Sequence, residues 1–219
     1  MPLIPLDEAA TATAERVRRR APFPAAAPDR RDSAVGTLTP GARSLDEVLE
    51  GRKSVREFTD VPVARSTLLA VLDRAAAAQR RQWPADRYGD PVLQLIVAAR
   101  HVEGLSKDLY AWSADGKLRP LGVPCDENAL AGDYTDAPAY VFVCGSVRRV
   151  GPDALAGQMF RAGSAGYAVW LAARTHGLEC SAFGAAHAPV RSAAAAVQAG
   201  ARHLFTVAIG HAHDSVARP

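Results

Sequence analysis

The feature that most constrains the fold is a proline-free, weakly charged stretch from Asp153 to Thr175. Apolar and small residues recur in it at helical spacing: Leu155, Met159, Ala162, Gly166, Val169, Trp170 and Ala173. We expect one long, buried helix that Gly177 ends as a C-cap. Gly163 and Gly166 each cost about 1 kcal/mol of helix propensity relative to alanine. This cost predicts close approach of another backbone or of a flat ligand.

Other segments carry the patterns of strands and shorter helices. A helix is expected from about Ser66, with Leu68, Leu69, Leu72 and Ala75 on one face. The β-branched runs 92–97 and 140–144 predict central strands, and a turn-rich excursion is expected between them, over residues 101–137. Pro189 begins a last helix that Gly200 closes, and residues 203–209 predict the last strand.

The pattern indicates one folded domain, over residues 44–219. With 219 residues, of which 48% are hydrophobic, the chain can bury a sizeable core. The domain begins at Ser44, which with Glu47 forms a capping box for a short helix that Gly51 ends. Residues 1–43 are rich in alanine, proline and arginine, so we expect an extended N-terminal arm.

Composition excludes several functional classes. The net charge of +3 comes from cations that are spread along the chain and balanced by acids, which argues against a nucleic-acid partner. No apolar run approaches the roughly 20 residues of a membrane span. Three cysteines without a CxxC pair favour neither disulfides nor a zinc site, and a cytoplasmic location is expected. The spacings of a phosphate-binding P-loop and a dinucleotide-binding GxGxxG are lacking.

The strongest chemical signal is the segment Arg52-Lys53-Ser54-Val55-Arg56. Arginine forms forked, charge-assisted bonds with phosphate oxygens, lysine supplies a point charge, and serine supplies a short donor. The segment therefore predicts a phosphate site, and a solvated surface cluster is the alternative.

This segment resembles the Arg-Arg-Ser-x-Arg-x-Phe signature of the nitroreductase family. Residues 97–110 are similar to a segment of the SagB-type azoline dehydrogenases within that family. Residues 162–178 resemble the central helix of the family, and residues 180–184 stand where its flavin-facing loop lies. Together these resemblances cover residues 45–210.

The resemblance implies an α+β fold in which helices flank a mixed central β-sheet and a homodimer exchanges terminal segments. It also implies FMN at the dimer interface. By position, the phosphate ligands are Arg52, Lys53, Ser54 and Arg56, with Arg218 returning from the C-terminus. The residues along the isoalloxazine ring are Ser181, Ala182, Phe183 and Gly184.

The implied activity is that of an FMN-dependent dehydrogenase or oxidase acting on a peptide-derived or heterocyclic natural-product intermediate. Three alternatives stay open: a cyclic-dipeptide oxidase, an NAD(P)H-dependent nitro or quinone reductase, and a flavin-free scaffold. A partner subunit within a biosynthetic complex is a further possibility.

Residues 79–91 depart from the family's Pro-Ser-x-Gly loop, and we expect Arg80, Arg81 and Trp83 to form a substrate gate there. Tyr110 and His187 are the candidate acid–base groups, although a packing role fits each of them. His211 and His213 are spaced like a metal pair but have no third ligand nearby in the sequence, so no metal is expected.

Overall fold

A six-stranded sheet in the order β3-β2-β1-β4-β6-β5 organises the computed structural model, which describes residues 45–113, 115–151, 154–184 and 187–213. The strands are β1 (Leu93–Ala99), β2 (Asp108–Trp112), β3 (Leu118–Pro124), β4 (Ala139–Ser146), β5 (Glu179–Phe183) and β6 (Ala201–Gly210). The helices are α1 (Leu45–Glu50), α2 (Arg65–Gln82), α3 (Ala85–Tyr88), α4 (Glu127–Asp133), α5 (Val147–Val150), α6 (Leu155–Thr175) and α7 (Ala188–Val197).

The predicted α+β class is confirmed. Neighbouring strands of the sheet pair antiparallel, and parallel pairing occurs in the isolated bridges Ser54–Cys180 and Val63–Val102. The predicted arm, the capping residue Ser44, Arg218 and the exchanged terminal segments lie outside the described residues.

Helices cover both faces of the sheet, so the central strand β4 is buried along its whole length. One face packs on α2 and α6, where Leu68, Leu72 and Val169 are fully buried. The other face packs on α7, where the rings of Tyr140 and Phe142 meet Val190. Central β4 therefore reads as a continuous apolar run, as expected of a strand buried on both sides.

The long helix is confirmed as α6, and its two glycines prove to differ. A Cβ on Gly166 would lie 2.3 Å from Phe205 Cδ1, so the flat neighbour there is a side chain of β6. A Cβ on Gly163 would meet nothing within 4 Å among the described residues. Gly177 ends the helix with a φ of 75°, and the Leu178 amide donates to the Ala173 carbonyl at 3.1 Å.

Two sequence-based expectations about loops are wrong. The excursion over residues 101–137 contains β2, β3 and α4, and both strands belong to the main sheet. Residues 79–91 are mostly helical, because α2 extends through Gln82 and α3 follows over Ala85–Tyr88. No helix in the described ranges combines the length and apolar character that a membrane crossing requires.

Candidate functional site

The basic segment 52–56 runs along the outer edge of β5. Ser54 forms a parallel bridge with Cys180, and the Val55 amide donates to the Cys180 carbonyl at 3.0 Å. Val55 is buried, whereas Arg52, Lys53, Ser54 and Arg56 are exposed. The fold thus anchors the segment through its one apolar residue and presents its cations and hydroxyl outward.

Aromatic rings hold the two arginines of this segment. Arg52 Cζ lies 5.6 Å from the ring centroid of Tyr167 and 5.2 Å from that of Trp170, both on α6. Arg56 Cζ lies 4.4 Å from the ring centroid of Phe183. A guanidinium that stacks by its face keeps its N–H edge available for an oxyanion.

Carboxylates do not neutralise these cations in the described part of the chain, because none of its ion pairs involves residues 52, 53 or 56. One ion pair beside this edge joins Arg174 to Glu179, at the end of α6 and the start of β5. Three exposed positive charges therefore stand together, as an anionic ligand requires.

The segment expected as a flavin-facing loop is the edge strand β5, which corrects that prediction. Ser181, Ala182 and Phe183 lie in the strand, and Gly184 follows it. Along an antiparallel strand, the backbone N–H and C=O groups of successive residues point to opposite sides of the strand. Because the Cys180 carbonyl accepts from Val55, the backbone groups of Cys180 and Ala182 point away from β6. Beyond the contact with Val55, the next backbone amide that points outward along this edge is that of Ala182.

The predicted substrate-gate residues lie at the other half of α6. Trp83 packs into an aromatic group: its ring centroid is 5.6 Å from Phe160 and 5.3 Å from Tyr88. Its Nε1 donates to Ser164 Oγ at 3.3 Å, and Arg161 Cζ lies 5.0 Å from the ring centroid. Trp83 thus packs beside α6 immediately after α2, which corrects its expected place in an open loop, and its expected role in substrate binding stays a prediction.

The two arginines of the predicted gate have a different position. Arg80 and Arg81 stand exposed in the last turn of α2. Trp83 contacts α6 at residues 160, 161 and 164, and Arg52 contacts it at residues 167 and 170. The two nearest of these positions are about 4.5 Å apart along the helix axis at 1.5 Å per residue. The structure thus places gate and phosphate residues along one helix without direct contact between them.

The two acid–base candidates differ in position. His187 is buried at the start of α7, and its Nδ1 lies 2.5 Å from Asp133 Oδ2. Its Nε2 is buried without a hydrogen-bond partner among the described residues, and its ring centroid is 6.3 Å from that of Tyr134, which contacts Phe183. His187 therefore lies near β5, with the Tyr134 ring in contact with both His187 and Phe183.

Tyr110, in contrast, is not brought to this edge. It lies in β2, and β1, β4 and β6 separate that strand from β5. At about 4.8 Å per strand spacing, the two strands are roughly 19 Å apart. The Tyr110 hydroxyl bonds within its own neighbourhood, with Ser106 Oγ at 2.7 Å.

Thiol and metal chemistry have no support in the described residues. Burial raises the pKa of the Cys180 thiol well above its usual range, and that of Cys144 to about 12. Both therefore stay protonated and poorly nucleophilic. His, Cys, Asp and Glu side chains form no group of three there that suits a metal ion.

Sequence reasoning missed three residues of the site, Tyr167, Arg174 and Asp133, and assigned Trp170 to the buried face of the long helix. Tyr167, Trp170 and Arg174 follow one another at the three- and four-residue spacing of a helix face, which was the available signal. Nothing local in the sequence indicates that Arg52 lies over this face of the helix.

The sequence around this site matches a known protein family. The model of the nitroreductase family matches residues 49–211, which includes the basic segment, α6 and β5. The chain belongs to the nitroreductase family. This membership confirms the oxidoreductase class expected from the sequence. A search of curated proteins gave no match.

Solved nitroreductase-family structures share the fold. A protein of Anabaena variabilis assigned as a nitroreductase is 18% identical, with a TM-score of 0.63 over 77% of this chain and 38% of its own. An FMN-dependent nitroreductase of Clostridium difficile is 15% identical, with a TM-score of 0.52 over 78% of this chain and 88% of its own.

A third similar structure belongs to a multi-protein assembly. It is a chain of the Escherichia coli microcin synthetase McbBCD complex with truncated pro-MccB17 bound. It is 14% identical, with a TM-score of 0.56, and the match covers 94% of this chain and 93% of that one. At these identities the similarity shows a shared fold.

Proposed function

We propose that this nitroreductase-family chain is an FMN-dependent oxidoreductase whose segment 52–56 binds the cofactor phosphate. The observation that carries the proposal is the exposed set Arg52, Lys53, Ser54 and Arg56 along the outer edge of β5. Family membership supports FMN as the cofactor.

The donor set fits a phosphate monoester. Two guanidinium groups, one ammonium group and one hydroxyl supply several charge-assisted hydrogen bonds, each contributing about 1.5–3 kcal/mol. The aromatic contacts of Arg52 and Arg56 fix the guanidinium planes beforehand, so less side-chain entropy is lost on binding. Arg218 remains a proposed further ligand from the C-terminus.

The outward edge of β5 is proposed to carry the isoalloxazine ring, with Ser181, Ala182, Phe183 and Gly184 as neighbours. The Ala182 amide is the donor that this edge offers to negative charge on a reduced ring. When bound, the flavin supplies the hydride-accepting chemistry. His187, held by Asp133, is the proposed acid–base group behind this edge.

For the substrate we propose a peptide-derived or heterocyclic natural-product intermediate. The similarity of residues 97–110 to azoline dehydrogenases supports this choice. A chain of similar fold also occurs in the microcin synthetase complex with truncated pro-MccB17 bound. The exposed Arg80 and Arg81 would favour an acidic or peptide-like substrate, at about 0.2–1 kcal/mol each.

We also propose that the chain works as a homodimer or with a partner subunit. Leu155, Met159, Phe160 and Tyr167 form an exposed apolar stripe on α6, and Phe160 is 63% exposed. Light scattering should give a dimer for the wild type, and Phe160→Glu should shift it towards monomer. A flavin-loaded wild-type monomer at micromolar concentration would contradict the homodimer.

Purification tests the central proposal. The protein should be yellow and should release FMN on denaturation, close to one per chain. Colourless protein that also fails to take up added FMN would reject an enzyme role and favour the flavin-free scaffold. A loaded protein should then be assayed with azoline peptides, cyclic dipeptides and NAD(P)H with nitroaromatics or quinones, which separates the candidate activities.

A further inference from the structure

The buried ion pair between Arg174 and Glu179 connects two parts of the proposed cofactor site. Arg174 is 4% exposed in the last turn of α6, and its Nη1 donates to Oε2 of Glu179, the first residue of β5. The next residue, Cys180, offers its carbonyl to the Val55 amide. The ion pair thus ends one residue from the contact that anchors segment 52–56.

The other side of Arg174 faces the residue that precedes this segment. A Cβ built on Gly51 would lie 2.6 Å from Arg174 Nη2. Gly51 has no positive φ, and a Cβ there would also lie 3.0 Å from the Glu47 carbonyl oxygen, so an added methyl group would have to displace the Arg174 guanidinium. Arg174 therefore lies between Gly51 at one end of the segment and Glu179 at the start of β5.

Tyr167, Trp170 and Arg174 belong to one face of α6, at three- and four-residue spacing. Tyr167 and Trp170 hold the Arg52 guanidinium, and Arg174 packs on Gly51 immediately before it. This face fixes both the backbone and the side chain at the entrance to the basic segment.

We propose that Arg174 and Glu179 are positioning residues that set the phosphate-binding geometry of segment 52–56. The inference rests on the proposed FMN site. A buried ion pair contributes little net stability because both charges lose hydration. Its value here is geometric: it fixes α6, β5 and Gly51 relative to one another.

Three variants test this role by separate means. Gly51→Ala displaces Arg174 by adding one methyl group, Glu179→Gln removes the charge of the pair, and Arg174→Lys keeps a cation but loses the fork. Gly132→Ala is the matched control, because a Cβ there meets nothing within 4 Å among the described residues.

The first measurement compares the affinities of the apoprotein for FMN and for riboflavin, which lacks the phosphate. We expect each variant to lose about tenfold or more in FMN affinity, with riboflavin affinity changed less than about threefold, which is under about 0.7 kcal/mol. The Gly132→Ala control should match the wild type for both ligands. Equal losses for the two ligands, or unchanged FMN affinity, would overturn the positioning role.

The second measurement needs no cofactor and separates this inference from the proposed function. Hydrogen exchange of the Val55 amide in the apoprotein should speed up in all three variants while exchange in β4 stays unchanged. A wild type that fails to bind FMN would reject the proposed function. Unchanged Val55 exchange would reject the positioning role whether or not FMN binds.

Discussion

Arg56 stacks on Phe183, with its guanidinium carbon 4.4 Å from the ring centroid, so a cation of the basic segment rests on the last residue of β5. The two residues are far apart in sequence but were assigned to the same cofactor by different motifs. Their contact joins the proposed phosphate site to the proposed isoalloxazine edge. A lysine at position 56 would lack the planar face that this contact uses.

Replacing Arg56 should therefore weaken FMN binding, more strongly with alanine than with lysine. Arg56→Ala removes a charge-assisted bond worth about 1.5–3 kcal/mol and should lower FMN affinity about 10- to 100-fold. Arg56→Lys retains the charge but not the fork or the stacking, and should give an intermediate loss. Flavin fluorescence titration of the apoproteins measures both. If Arg56→Ala binds FMN like the wild type, the phosphate assignment is wrong.

The sequence predicted the parts of the fold that are buried and continuous. The strands β1, β4 and β6 are continuous apolar runs, and α6 keeps one helical period over many residues without proline. Both patterns are unambiguous. The strand β3 was missed because it contains Pro120, Gly122 and Pro124. Such residues are tolerated there because β3 is an edge strand that pairs only with β2.

The candidate site was predictable only where its residues are neighbours in sequence. The segment 52–56 concentrates its cations locally, so composition alone indicated an anion site. The contact of Arg52 with Trp170 and the bond of His187 to Asp133, 54 residues away, depend on how the chain folds back. The interpretation of residues 79–91 as a loop failed because the family pattern outweighed a good local helix sequence in Ala75–Gln82.

The packing of Trp83 predicts a measurable effect on stability. Trp83→Ala should lower the free energy of unfolding by about 1–2 kcal/mol, because it removes a half-buried ring that packs on Phe160, Tyr88 and Arg161. Trp83→Phe keeps a ring and loses the bond to Ser164, at about 1 kcal/mol. Urea unfolding of the apoproteins tests this, and a near-neutral Trp83→Ala would restore Trp83 as an open gate residue.

The two glycines of α6 should respond oppositely to alanine. Gly166→Ala places a methyl group against the Phe205 ring and should cost about 1–3 kcal/mol. Gly163→Ala meets nothing in the described chain and should gain up to about 1 kcal/mol of helix propensity. Urea unfolding measures both variants under conditions where each is monomeric. Stabilisation by Gly166→Ala would show that the Phe205 ring can move aside at little cost.

The buried histidine of β6 should make the fold sensitive to mild acid. Burial lowers the pKa of His203 from 6.5 to about 4. Below pH 6.5 His203 is protonated in the unfolded chain but stays neutral in the folded chain until the pH approaches 4. The contribution of His203 to stability is therefore complete above pH 6.5 and is lost as the pH falls towards 4.

Between pH 7 and pH 5 this single group should cost about 2 kcal/mol of stability. His203→Gln removes the titration, so its free energy of unfolding should fall less than that of the wild type by about that amount. Urea unfolding of both proteins at several pH values gives the comparison, in which all other titrating groups are shared. Parallel pH profiles for the two proteins would mean that folded His203 accepts a proton as readily as the unfolded chain does.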